Sequence, residues 1–307
     1  ISAASFNDTI PAKEVWRVSE DGELRDPFKK LTTVFQMSEE MFFLHYGKDG
    51  CNRHVLIDEC RELFGEIYEQ IPELPFCNIW TAMQLSSRLP KRALFHMGVS
   101  NTRRCWNMFQ LPESVESACN VGCCGIDGCV STLVGASLVN PDRLCYVVVG
   151  DLTFFYDLNS LGNHHIGTNL RVMLVNNGRG TEFRLGIHHC NVFGDDADKY
   201  MAAAGHFGNK SPLLVKHYAE DLGFHYLSAT TKEEFMTALS NFTNPQLSDH
   251  SMILEVFTDS KDESEALYLM SHIQSDAKGM VRSKLKDAVR NVAGEKGINA
   301  IKKILKK

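Results

Sequence analysis

The sequence predicts an α/β fold, a mainly parallel sheet flanked by helices on both faces. Three observations carry that expectation. Five short runs are apolar on successive residues rather than alternating, as strands covered on both faces require. Stretches of helical periodicity separate them, which is the spacing of parallel strands joined by crossovers. Several runs end in small or polar residues, GVSN at 98–101, GDL at 150–152 and NNGRG at 176–180, and ligands of such sheets bind at the carboxyl ends of the strands.

In chain order, the spacing predicts helices over 52–70, with Val55, Ile57, Cys60, Leu63, Phe64 and Ile67 as an apolar stripe, and over 77–88. The strands are RALFHMG (92–98), LCYVVVG (144–150), LRVMLVNN (170–177), FHYLSA (224–229) and SMILEVF (251–257). His164 and His165 fall in an expected helix. His188, His189 and Cys190 follow NNGRG, and zinc there needs a further ligand at compatible spacing, so a lid or surface role is the expectation.

Composition narrows the function classes. At 307 residues and 44% hydrophobic, the chain is long enough to bury a sizeable core. A net charge of −6 speaks against nucleic acid as the partner, because tracking a phosphate backbone calls for a basic excess. No run approaches the ~18 apolar residues of a membrane span, and the first residues lack the charged-then-apolar order of a secretory signal. The ten cysteines follow no framework of regular spacings, so small reduced thiols in a cytoplasmic protein are expected. Residues 276–307 differ from the rest, with ten Lys/Arg against three Asp/Glu and apolar residues at helical spacing. Such a basic amphipathic tail either packs on its own domain or lies on an anionic membrane or a partner.

Two stretches carry chemistry. In NVGCCGIDGCVST (120–132), Gly122, Gly125 and Gly128 recur every third residue ahead of the helical pattern CVSTLVGASLV. Adjacent Cys123 and Cys124 diverge in most backbone conformations, against a metal knot. Glycine allows positive φ and close main-chain approach, so the loop is either a binding loop opening a helix or a tight buried turn. In the second stretch, Asp151 directly follows a buried strand at a helix start, where it is a cap or a ligand. Asn177 lies twenty-six positions on, after a helix and the next strand. Neighbouring parallel strands bring such residues to one edge, where a carboxylate, an amide oxygen and a main-chain carbonyl suit Mg²⁺.

GDL and NN, separated by 23 residues, resemble the metal and diphosphate signature of thiamine diphosphate enzymes. Within that class, GVSNTRR, NVGCCGIDGCVSTLVGA and GDLTFFYDLNSL occur in the order found in the 2-succinyl-5-enolpyruvyl-6-hydroxy-3-cyclohexene-1-carboxylate synthases of menaquinone biosynthesis. The resemblance runs from about residue 50 to 260, and 15–46 is similar to the segment leaving that family's central domain. It implies a central-domain remnant over 1–48, a diphosphate-binding domain over 49–265 and the basic tail over 266–307. It further implies thiamine diphosphate with Mg²⁺ or Mn²⁺, the metal held by Asp151, Asn177 and the main-chain carbonyl of Arg179. Ser100, Cys123, Gly125, Gly150, Leu152 and Thr153 would contact the cofactor. Ile126 falls at the position of the apolar wedge between the cofactor's two rings, and Arg104 matches an arginine that receives a substrate carboxylate. The implied reaction is decarboxylation of a 2-oxo acid followed by carboligation to an acceptor.

Two features set limits. Val121 stands where the family loop has a second carboxylate-binding arginine, and valine offers no charge-assisted hydrogen bond. A diverged enzyme using another 2-oxo acid, or a non-catalytic binding module, are the alternatives. The family's activating glutamate belongs to a pyrimidine domain of the same or a neighbouring subunit, which residues 1–307 are expected not to include. The stretch alone is therefore expected to bind cofactor weakly without turnover, and the full-length protein to form a homodimer or tetramer.

Overall fold

The computed structural model describes residues 13–47, 55–122, 125–184, 188–197 and 211–273. The chain divides into two compact units, Ile1–Glu66 and Ile67–Lys307. In the first, strands β1 (Val15–Val18) and β2 (Leu31–Phe35) pair in parallel, and helix α1 (Glu39–Tyr46) follows. Trp16, Phe35, Phe42 and Tyr46 form its aromatic cluster. Ser38 caps α1 by accepting the Met41 amide. Helix α2 (Val55–Glu69) forms where the 3.6-residue period predicts it, yet Ile57, Leu63 and Phe64 of its stripe remain exposed.

The second unit holds a six-stranded sheet in the order β4-β3-β5-β6-β8-β7, every neighbouring pair parallel. Its strands are β3 (Leu94–Met97), β4 (Glu116–Cys119), β5 (Cys145–Gly150), β6 (Leu170–Asn176), β7 (His225–Ala229) and β8 (Met252–Phe257). The five expected strands all form. β4 is the strand that apolar runs do not reveal: it is ESAC, a short exposed edge that buries too little to need them.

Helices cover both faces. On one lie α3 (Asn78–Ser86), α8 (Lys232–Phe242) and α9 (Ser260–Ser271), whose Ile79, Phe235 and Ala266 pack with Phe95, Tyr146 and Val148 of the strands. On the other, α5 (Cys129–Val139) and α7 (Leu214–Asp221) pack Val130, Leu133 and Val215 against Val147, Val149 and Val172. The alternate residues of β5 thus serve opposite cores, which explains its continuous hydrophobicity. Between β3 and β5 the chain reverses its direction of travel across the sheet, opening a crevice at their carboxyl ends. Helices α4 (Asn101–Trp106) and α6 (Asp151–Asp157) start there.

Two details correct or extend the reading. His164 and His165 lie in a turn beyond the 3-10 segment Leu158–Gly162, because Asn163 Oδ1 accepts the His165 amide at 3.0 Å and ends the helix. Cys77, Cys105, Cys129 and Cys145 are buried, and burial pushes the Cys77 thiol up to about 12 and Cys145 to about 11. Among the described residues no helix is long and apolar enough to cross a membrane. The tail sequence beyond residue 273, and Cys123 with Cys124, lie outside the described residues.

Candidate functional site

The site is assembled from four strand and loop ends in the second unit. Gly150 lies opposite Val175 in the β5–β6 register, so Asp151 and Asn177 emerge side by side from neighbouring strands. Asp151 is 3% exposed, and its Oδ1 accepts the Leu152 amide at 2.9 Å. After β6 the chain turns through Gly178, whose φ of 82° is the left-handed conformation glycine permits. Asn177 Oδ1 accepts the Arg179 amide at 3.3 Å across that turn. Both residues border one cavity of about 220 Å³.

A buried network fixes the β6 end. Asn176 Nδ2 donates to Glu255 Oε1 at 2.7 Å, and Tyr226 Oη donates to Glu255 Oε2 at 2.8 Å. Burial raises the Glu255 pKa, against the two hydrogen bonds that lower it. The first asparagine of the pair is therefore an anchor, and the second faces the cavity.

The end of β3 supplies Ser100, held at φ 61° and ψ −121°, a region costly for any residue with a Cβ. This strain falls where the strand turns into α4 and Ser100 borders the cavity. The glycine loop supplies Ile126, which also borders it. Gly128 ends the loop at φ 85° and caps α5, and Asn120 ties its two ends by donating to the Gly128 carbonyl at 3.3 Å. Asp157 Oδ2 accepts the Ser131 amide at 2.6 Å, fastening α5 to α6. A Cβ on Gly125 would meet Asp127 Oδ1 at 2.6 Å, a contact that rotation of the Asp127 carboxylate relieves.

Of the residues expected at a cofactor, Ser100, Ile126, Gly150, Asp151, Leu152, Thr153, Asn177 and Arg179 share this cavity, and Gly125 lies in the loop beside it. Arg104 does not point its charge at an open site. Its Nη1 and Nη2 donate to Glu182 Oε2 and Oε1 at 2.6 and 3.0 Å, a bidentate ion pair at the rim. That hydrogen bonding also raises the Arg104 pKa.

Sequence reasoning missed Glu182 and Asn78, both on the cavity wall. Nothing in TEF marks Glu182 as a partner for a residue 78 positions away. Asn78 opens α3, where its amide donates to Glu263 Oε1 at 3.0 Å and its Oδ1 accepts from Trp106 Nε1 at 3.0 Å. Glu263 is fully buried, and burial pushes its carboxyl up to about 7. A lone glutamate on a helix carries no spacing signal for such a role.

The cavity can hold a hard cation. Asp151, Asn177 and Arg179 border it at one strand edge, and a carboxylate, a carboxamide oxygen and a main-chain carbonyl are the donor types that Mg²⁺ or Mn²⁺ prefers over softer metals.

Comparison with known proteins places this geometry in context. A protein of Bacteroides fragilis named 2-succinyl-5-enolpyruvyl-6-hydroxy-3-cyclohexene-1-carboxylate synthase is 33% identical over 263 residues, 84% of this chain and 45% of that protein. Proteins of the same name from Phocaeicola vulgatus and Bacteroides thetaiotaomicron are each 32% identical over 84% of the chain. The chain spans just under half the length of these relatives. No family model matches it.

Proposed function

The chain belongs to the 2-succinyl-5-enolpyruvyl-6-hydroxy-3-cyclohexene-1-carboxylate synthase family, and from that premise we propose that it forms the diphosphate-binding part of a thiamine diphosphate- and Mg²⁺-dependent enzyme. The enzyme decarboxylates a 2-oxo acid and joins the product to an acceptor. One observation carries this reading: Asp151 and Asn177 share a cavity with Ser100 and Ile126 at the carboxyl ends of β3, β5 and β6.

In this proposal Asp151, Asn177 and the Arg179 carbonyl hold Mg²⁺ or Mn²⁺, and Gly150, Leu152 and Thr153 border the diphosphate. Thiamine diphosphate, when bound, supplies a carbon nucleophile for attack on the 2-oxo group. Ile126 would meet the cofactor from the glycine loop, and Ser100 and Gly125 would lie on its pyrimidine side. The activating carboxylate would come from a pyrimidine domain of the same or a neighbouring subunit, and a homodimer or tetramer in the cytoplasm is the proposed working form.

Val121, 43% exposed, occupies the position of the family loop's arginine. It favours a second reading within the same chemistry, a different 2-oxo acid as donor. Assaying the full-length protein with 2-oxoglutarate plus isochorismate, and with other 2-oxo acids, tests both readings. Consumption of a 2-oxo acid that depends on added thiamine diphosphate and Mg²⁺ is expected. No consumption of any of them, with intact folded protein, contradicts the proposal and favours a non-catalytic binding module.

A further inference from the structure

We infer that Glu263 is a positioning residue that couples the cavity to a proton: the neutral carboxyl holds Asn78 in the cavity wall, and its ionisation loosens that wall and weakens binding there. The inference rests on the proposed cofactor site and adds how that site is regulated. Glu263 sits in the first turn of α9 and is fully buried. Its Oε1 accepts two hydrogen bonds, from the Asn78 amide at 3.0 Å and from Thr258 Oγ1 at 2.7 Å. Asn78 borders the cavity, and its Oδ1 accepts from Trp106 Nε1 of α4 at 3.0 Å. The Thr258 amide donates to the Asn176 carbonyl at 3.1 Å. One carboxyl oxygen thus links α3, α4 and the end of β6 around the cavity.

The second oxygen decides what ionisation does. Glu263 Oε2 has no hydrogen-bond partner among the described residues, and an unpaired buried carboxylate oxygen is far costlier than a neutral hydroxyl in the same place. On the elements packed against it, the titratable and charged groups are Cys77 at the start of α3, Cys105 and Arg104 of α4, and Glu182 of the segment Thr181–Arg184. Arg104 is already engaged by Glu182. Asp259 and Asp262, close by in sequence, add negative charges that disfavour another. Burial, the larger effect, acts in the same direction, so the carboxyl titrates near neutral pH. Once ionised, Oε2 has to meet water, and water reaches it only if the α3–α9 contact opens. That opening moves Asn78 out of the cavity wall, so proton binding at Glu263 and ligand binding in the cavity favour each other.

The test uses the full-length protein and two readouts, one of which needs no cofactor. The indole N–H resonance of Trp106, followed with isotopically labelled tryptophan, should shift with a midpoint near pH 7 in the wild type. It should stay constant across that range in Glu263→Gln, which keeps Oε1 as an acceptor and cannot ionise. Thiamine diphosphate binding, measured by calorimetry with saturating Mg²⁺, should weaken in the wild type by about tenfold relative to Glu263→Gln between about pH 6 and about pH 9. Titration of the ligand itself is common to both proteins and cancels in that ratio. At about pH 7.5 the wild type should take up about half a proton more than the variant on binding, read from the heat in buffers of different ionisation enthalpy. Thr258→Val gives a second route if Glu263→Gln folds poorly: losing one donor to the carboxylate should raise the Trp106 midpoint by about one unit. A Trp106 resonance that does not titrate, a midpoint unmoved in Thr258→Val, or equal pH dependence of affinity in wild type and Glu263→Gln overturns the inference and leaves the cofactor reading intact. Trp106 that titrates in the wild type alone, in protein that binds no thiamine diphosphate at any pH, supports the proton-linked wall and defeats the cofactor reading, so the two failures are distinct.

Discussion

The two walls of the cavity use charge in opposite ways. On the β5–β6 wall, Asp151 and Asn177 accept hydrogen bonds from amides of their own turns, at 2.9 and 3.3 Å. Short-range bonds of this kind hold each side chain against its own backbone. On the α4 wall, Arg104 and Glu182 satisfy each other across 78 residues of sequence. Motif residues thus border the cavity on one side and are paired with a distant partner on the other. A residue's place in a motif fixes where its backbone stands, whereas a distant partner decides what charge the site offers.

The largest expected effect breaks the first wall while leaving the second intact. Asp151→Asn in the full-length protein should weaken Mg²⁺-dependent thiamine diphosphate binding by about 100-fold or more, with the Arg104–Glu182 pair unaffected. Calorimetric titration of the variant checks this, and an unchanged affinity would remove Asp151 from the metal site.

Behind the α4 wall, Glu263 supports Asn78 and carries a folded-state pKa raised from 4.5 to about 7 by burial. A carboxyl that binds its proton more tightly when folded costs stability as pH rises. Its contribution is constant below about 4.5, is lost progressively up to about 7 and stays lost above that. Glu263→Gln removes this dependence, so its stability relative to the wild type should rise by about 3 kcal/mol between pH 4 and 8. Urea denaturation across that range measures the slope; parallel curves would show that Glu263 is charged at no such cost.

Behind the β5–β6 wall, Asn176→Ala leaves Glu255 Oε1 without its buried donor. A loss of about 1–3 kcal/mol in denaturation is expected, and an effect confined to cofactor affinity would instead make Asn176 a ligand. The smallest effect concerns Ser100. Ser100→Gly relieves a backbone that glycine adopts freely and should raise stability by about 1 kcal/mol, visible as a higher Tm. A lower Tm would mean that the serine side chain contributes more than its backbone strain costs.

Much of this was legible in the sequence for a physical reason. Strands buried on both faces must be largely apolar, so β3, β5, β6 and β8 stand out as apolar runs, while the edge strand β7 shows itself through the aromatic and apolar residues of FHYL. Parallel register then brings Asp151 near Asn177 without further information. β4 was hidden because an exposed edge strand has no such constraint. The turn at His164 and His165 was hidden because it is set by Asn163, a single side chain and not a period. The Arg104–Glu182 pair and the Glu263–Asn78 contact join residues 78 and 185 positions apart, and no local spacing encodes either one.

A divalent cation joining Asp151 and Asn177 to a diphosphate is the centre of the proposed site. Titrating thiamine diphosphate into metal-stripped full-length protein, then repeating after adding back Mg²⁺ or Mn²⁺, tests this most directly. Affinity should fall by at least about 100-fold on chelation and return with either ion. Binding of equal strength with and without metal would contradict it.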